Sequence, residues 1–203
     1  MISSFSTKPI PISFYEYKKI MEQKLPKTFS DFLDIGYRTG LRSNFLCNLK
    51  KENVDLDKKV ITGNDPKTSL PIYVVLDDRS FSILERRIKN TESEYIFSNN
   101  NGNPYSLSYY SRCFMKALES DPLNYNLRDR HINLHSIRAG NRELLKELRI
   151  PLPEINFRQN IDLYGSSQFA YVTDQTKSVN AINKFFPIIN DMINQRELNG
   201  YYD

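Results

Sequence analysis

The chain has 203 residues, 39% hydrophobic and 26% charged, a balance that suits one globular domain with its own core. Its 28 Lys and Arg against 24 Asp and Glu give a formal net charge of +4, which is compatible with a polyanionic partner without demanding one. No apolar run is long enough to span a bilayer, no secretory pattern opens the sequence, and Cys47 and Cys113 fit neither a metal nor a disulfide framework, so a reducing intracellular setting is expected.

Residues 1–12 lack periodicity and read as an N-terminal arm or linker, leaving 13–203 as one domain. Phe14, Tyr17, Ile20 and Met21 predict a helix over Phe14–Lys24. A second helix is expected from near Ser30, with Asp31 in its first turn, to Thr39-Gly40, where glycine suits a stop. Leu41, Phe45, Leu46 and Leu49 predict a short third helix. Asn53 to Ile61 alternates weakly, Gly63-Asn64-Asp65-Pro66 signals a turn, and Ser69 to Leu76 reads as a strand. Further helices are predicted over Ser80–Lys89, Tyr105–Leu118, Leu134–Leu148, Glu154–Leu163 and Val179–Leu198, with Pro151 and Pro153 closing the Leu134 helix. The fold class is mainly α with a small antiparallel β-sheet or hairpin. Basic pairs at Lys50-Lys51, Lys58-Lys59 and Arg86-Arg87 read individually as solvated faces.

Several strings then recur in an informative order. Thr39-Gly40-Leu41-Arg42 comes first, Lys67 follows beside the turn, and His135-Ser136-Ile137-Arg138 opens the Leu134 helix. Tyr171 closes the series in Ser166-Ser167-Gln168-Phe169-Ala170-Tyr171. This order and spacing resembles the catalytic domain of the tyrosine recombinases, the phage-type integrase family. Asn53 to Ile61 resembles that family's hairpin entry, and Phe97 with Gly102-Asn103-Pro104-Tyr105-Ser106 resembles the segment before its H-x-x-R box. The resemblance covers roughly residues 13–195.

It implies the tyrosine recombinase fold and a DNA strand transferase that works through a 3′-phosphotyrosine. Arg42 and Arg138 would hold the charge that develops on the phosphate, since arginine offers a planar fork and keeps its proton. Lys67 would protonate the leaving 5′ oxygen. His135 would orient the phosphate or exchange a proton with Tyr171, the nucleophile; Tyr164 is the alternative. The implied partners are duplex DNA and further copies of the chain, as a dimer or tetramer on DNA, with no metal, nucleotide or other cofactor and no membrane. Localisation would be cytoplasmic or nuclear, following the DNA target.

Three positions depart from the family pattern. Phe45 stands where an acid is usual after the first arginine, and Ala139 stands where histidine often follows the second. The histidine or tryptophan expected shortly before the nucleophile is missing, and Asn160 or Asp162 occupies that sixth position, with Arg158 nearby. Two other readings therefore stay open: a type IB topoisomerase-like enzyme, against which His135 argues, and a non-catalytic DNA-binding or assembly module. Family members usually add an N-terminal domain that completes a clamp, so an excised domain or dependence on a partner is expected. The apolar face Val179, Ile182, Phe186, Ile189 and Ile193 suits packing in cis or docking on a neighbouring protomer. Abundant Asn, Lys and Ile suggest an AT-rich genome, a virus or a mobile element.

Overall fold

The computed structural model describes residues 9–120, 132–159, 161 and 176–198. Ser13 caps α1 (Phe14–Glu22): its hydroxyl accepts the Glu16 N–H while the Glu16 carboxylate accepts the Ser13 N–H. This helix stops short of Lys24, because Leu25 precedes Pro26 and a residue before proline avoids helical backbone. Pro26 then begins α2 (Lys27–Thr39), earlier than expected, and the Ser30 hydroxyl donates back to the Lys27 carbonyl. Gly40 ends α2 at φ 69°, donating its N–H to the Gly36 carbonyl. The short α3 (Ser43–Cys47) follows, with Leu41, Phe45, Leu46 and Leu49 all buried as expected.

The sheet is a three-stranded antiparallel meander of β1 (Val54–Asp55), β2 (Val60–Asn64) and β3 (Pro71–Val75). Val54 faces Ile61, Val60 faces Val75 and Asn64 faces Pro71. Ile72 and Val74 point into the core while Tyr73 between them is exposed, the alternation that a one-sided sheet needs. β3 begins later than expected because Ser69 has φ 57°, outside strand geometry.

The remaining helices are α4 (Asp78–Asn90), α5 (Leu107–Glu119), α6 (Leu134–Glu147), α7 (Leu152–Arg158) and α8 (Thr176–Leu198). Asp77, Ser106 and Asn133 cap α4, α5 and α6 through side-chain oxygens. Pro153, expected only to terminate α6, lies in the first turn of α7, where proline's missing N–H costs nothing. α7 ends at Arg158 rather than Leu163, with Gln159 as its cap.

α2 lies at the centre, against α1, α3, α4 and α6. Phe29, Phe32, Leu33, Ile35 and Tyr37 are buried around its circumference, and three charged residues are buried with them. Asp34 accepts hydrogen bonds from Tyr17 Oη at 2.6 Å and Arg38 Nε at 2.6 Å, and Arg38 Nη1 reaches Asp77 at 2.6 Å. Asp31 pairs with Lys27, Arg86 and Arg87, so the Arg86-Arg87 pair binds α4 to α2 instead of forming a purely solvated face.

Both ends of the described chain join this core. Ile12, read as arm, is buried and donates its N–H to the Ser136 carbonyl of α6 at 3.2 Å. Gly140 permits that approach, because a Cβ there would collide with the Ile12 carbonyl. From α8, Val179, Ile182 and Phe186 pack in cis; the Phe186 ring stands edge-on to Phe14 at 4.8 Å and lies 3.8 Å from the Arg38 guanidinium. The Ile189 and Ile193 side chains lie outside the described residues. Among the described residues, no helix is long and apolar enough to cross a membrane.

Removing Asp34 would take from the buried Arg38 one of its two carboxylate partners, leaving Asp77, and would strand the Tyr17 hydroxyl. Asp34→Ala is expected to cost about 3–5 kcal/mol. Urea denaturation measures this, and a loss below about 1 kcal/mol, the scale of an exposed pair, would contradict the network's role.

Candidate active site

Gly40 turns the chain out of α2 in a left-handed conformation, sending Leu41 into the core and leaving Arg42 at the head of α3. The Arg42 side chain is 23% exposed, and its Nε donates to Asp65 Oδ2 at 2.6 Å. Among the described residues, neither Nη of Arg42 has a hydrogen-bond partner. Its guanidinium is thus held at Nε, with the Nη end unpaired among the described residues.

Arg138 reaches the same place from α6. Its Nη1 donates to the Gly40 carbonyl at 2.7 Å and its Nη2 donates to the Gln159 carbonyl. Gln159 Nε2 returns the contact to the Arg138 carbonyl at 3.1 Å and to Asn141 Oδ1 at 2.8 Å, while Asn141 Nδ2 donates to the Arg38 carbonyl at 3.1 Å. A Cβ at Gly40 would collide with these Asn141 and Gln159 side chains, so glycine is required there by space as well as by φ. The ends of α2 and α7 are thus tied to the first half of α6.

The electrostatics of this junction are unbalanced. Burial pushes the Arg138 guanidinium down to about 9, the Arg42 and Arg142 charges push the same way, and Asp65 opposes them. Arg142 Nη1 is buried and has no hydrogen-bond partner among the described residues. Among the described residues, the Arg42, Arg138 and Arg142 charges thus oppose one another with Asp65 offsetting them, an arrangement that an added anion would relieve.

The other expected site residues divide into two groups. Lys67 is exposed in the β2–β3 connection, and its backbone N–H donates to Asp65 Oδ1 at 2.9 Å. His135 is exposed in the first turn of α6, one turn before Arg138, and is not the packed core histidine that an apolar helix would ordinarily hold. Tyr171, its alternative Tyr164, and the sixth-position candidates Asn160 and Asp162 lie outside the described residues. Arg158 is buried, donating to the Val75 and Arg38 carbonyls at 3.2 Å each, and burial pushes it down to about 10. It joins α7 to β3 and α2. Among the described residues, no group of three His, Cys, Asp or Glu side chains could hold a metal ion.

Sequence reasoning missed Asp65, Asn141, Arg142 and Gln159. Asp65 registered only as a turn residue, and nothing local marks the other three, since their partners are distant in sequence.

Comparison with known proteins gives the family and the fold. The Phage integrase family matches residues 13–156. A probable integrase/recombinase protein of Methanocaldococcus jannaschii is 24% identical over 179 residues, covering 84% of this chain and 54% of that protein. The integrase of mycobacterium phage Brujita superposes with a TM-score of 0.69 at 15% identity, covering 89% of this chain and 59% of the phage protein. A lambda integrase tetramer bound to a Holliday junction gives 0.63 at 18% identity, covering 78% of this chain and 49% of the lambda protein. At these identities the structural likenesses show a shared fold, and the chain spans between half and three-fifths of each relative's length.

An anion seated between the two arginines should stabilise the folded protein. Inorganic sulfate or phosphate is expected to raise Tm, by the equivalent of about 2.7 kcal/mol at a hundredfold excess over Kd. Arg42→Gln and Arg138→Gln should each remove most of that gain in a thermal-shift titration. An equal gain in both variants would show that the anion binds elsewhere.

Proposed function

The chain belongs to the phage integrase family and has the fold of the tyrosine recombinase catalytic domain, and from that premise we propose that it cleaves and rejoins duplex DNA through a 3′-phosphotyrosine on Tyr171. The observation that carries this reading is the junction of Arg42 and Arg138, in which each guanidinium is held by its own partners and keeps further N–H groups unpaired among the described residues.

The Tyr171 hydroxyl oxygen attacks the phosphorus, a tyrosine–phosphorus bond forms, and the bond to the 5′ oxygen breaks. Lys67 gives the leaving oxygen its proton, and His135 exchanges the proton of the tyrosine. Negative charge gathers on the non-bridging oxygens, where Arg42 and Arg138 meet it with donors already in position. Tyrosine ionises near 10 in water, so these cations also favour its reactive form. Attack by a free 5′ hydroxyl reverses the step without ATP, because the phosphotyrosine conserves the bond energy.

Duplex DNA is the proposed substrate, gripped mainly through its phosphates and hence sensitive to salt. The lambda relative is a tetramer on a Holliday junction, and a dimer or tetramer on DNA is proposed here by analogy. The phage origin of the Brujita integrase supports a mobile-element or viral setting.

Covalent trapping tests the reaction. On a nicked suicide duplex the protein should form a DNA adduct that survives denaturing electrophoresis, persists in Tyr164→Phe and disappears in Tyr171→Phe. Failure to form it on DNA that the protein demonstrably binds would favour the non-catalytic binding module.

A further inference from the structure

The position three residues after Arg42, acidic in the pattern the sequence resembles, is the buried Phe45. Its ring lies against β2, where a Cβ added at Gly63 would come within 2.9 Å of it. The carboxylate that meets Arg42 comes instead from the β2–β3 connection. Asp65 is only 2% exposed, and its two oxygens divide their work. Oδ2 accepts from Arg42 Nε at 2.6 Å, while Oδ1 accepts the backbone N–H groups of Lys67 at 2.9 Å and Thr68 at 3.2 Å.

The Asp65 backbone closes the same turn. Its N–H donates to the Leu70 carbonyl and its carbonyl accepts the Ser69 N–H, both at 2.8 Å. Burial disfavours the carboxylate, but the Lys67 N–H and the Arg42 guanidinium outweigh it and hold the Asp65 carboxyl below its ordinary value. The charge is therefore present at neutral pH.

We propose that Asp65 is the positioning residue for both Arg42 and Lys67, taking over from the sheet connection the place that Phe45 leaves unfilled on α3. This inference rests on the proposed function of the site. One carboxylate fixes the guanidinium through Nε, so that both Nη groups face the phosphate, and the same carboxylate fixes the backbone that carries Lys67. Without it Arg42 would have many rotamers to lose on binding, and the lysine turn would lose its register with the arginine. A neutral side chain with one acceptor oxygen can still cap the turn, but only the carboxylate has a second oxygen to hold the arginine at the same time.

The test is a double-substitution cycle on the full chain. Asp65→Asn keeps an oxygen for the Lys67 N–H and removes the charge. Single-turnover cleavage of the suicide duplex should slow by up to about 100-fold, the cost of a small misplacement, while DNA affinity stays within about threefold. Because Asp65 acts through Arg42, adding Asp65→Asn to Arg42→Lys should slow cleavage little further. Independent, multiplying losses would overturn the proposal. If Asp65→Asn does not fold, Asp65→Ser, whose hydroxyl also accepts the Lys67 N–H, replaces it.

Nitrogen-15 NMR of the arginine Nε–H groups gives a readout that needs no DNA. The Arg42 signal should exchange slowly with solvent in the wild type and at least tenfold faster in the variant. If the wild type cleaves no DNA, the proposed function fails and this signal alone decides the positioning. Faster exchange then supports the role of Asp65, and unchanged exchange overturns it.

Discussion

Arg138 donates to two backbone carbonyls, Gly40 at the end of α2 and Gln159 at the end of α7. Each carbonyl belongs to a helix terminus whose last acceptors have no partner within the helix, so the guanidinium satisfies two groups that burial would otherwise leave costly. The same bonds pin the loop that carries Arg42 against the face of α6. The position of one arginine is thereby set by the other's structural contacts. A planar fork can do this and still keep its Nε–H and an N–H on each Nη for a ligand, which a lysine at position 138 could not.

The surrounding fold explains why such a junction holds. α2 carries Asp31, Asp34 and Arg38 into the interior, and each is paired: Asp31 with Lys27, Arg86 and Arg87, Asp34 with Tyr17, Arg38 and Arg79, and Arg38 also with Asp77. Buried pairs of this kind add little net stability, yet losing one member is expensive, so they fix how α4 and α1 sit against α2. Phe186 of α8 covers Arg38 on its remaining side. A rigid α2 gives Gly40 a fixed place, and the rest of the candidate site follows from that.

Much of this was legible in the sequence because local rules and tertiary demands coincide. Gly40 reads as a helix stop, and it is one; the spacing of Leu134, Ile137, Leu144, Leu145 and Leu148 defines α6 to within a residue. Errors arose where one residue type serves two purposes. Pro153 can end one helix or begin the next, and Ser30, expected near the start of α2, lies inside it with its hydroxyl bonded back to Lys27. α7 ends early because Gln159 is claimed by Arg138 and Asn141, partners that no local pattern reveals. The site divides in the same way. Arg42, Lys67, His135 and Arg138 stood out as strings in order, whereas Asp65 looked like any turn aspartate and its contact with Arg42 exists only in three dimensions.

The most direct measurement is a crystal structure of the protein on duplex DNA with vanadate at the cleavage position. The Nη atoms of Arg42 and Arg138 are expected to hydrogen-bond non-bridging oxygens on the same vanadate, with the Tyr171 oxygen in line with the leaving 5′ oxygen and the Gly40–Arg138 bond intact. Arginines on different phosphates, or an Arg138 that must leave Gly40 to reach the DNA, would contradict it.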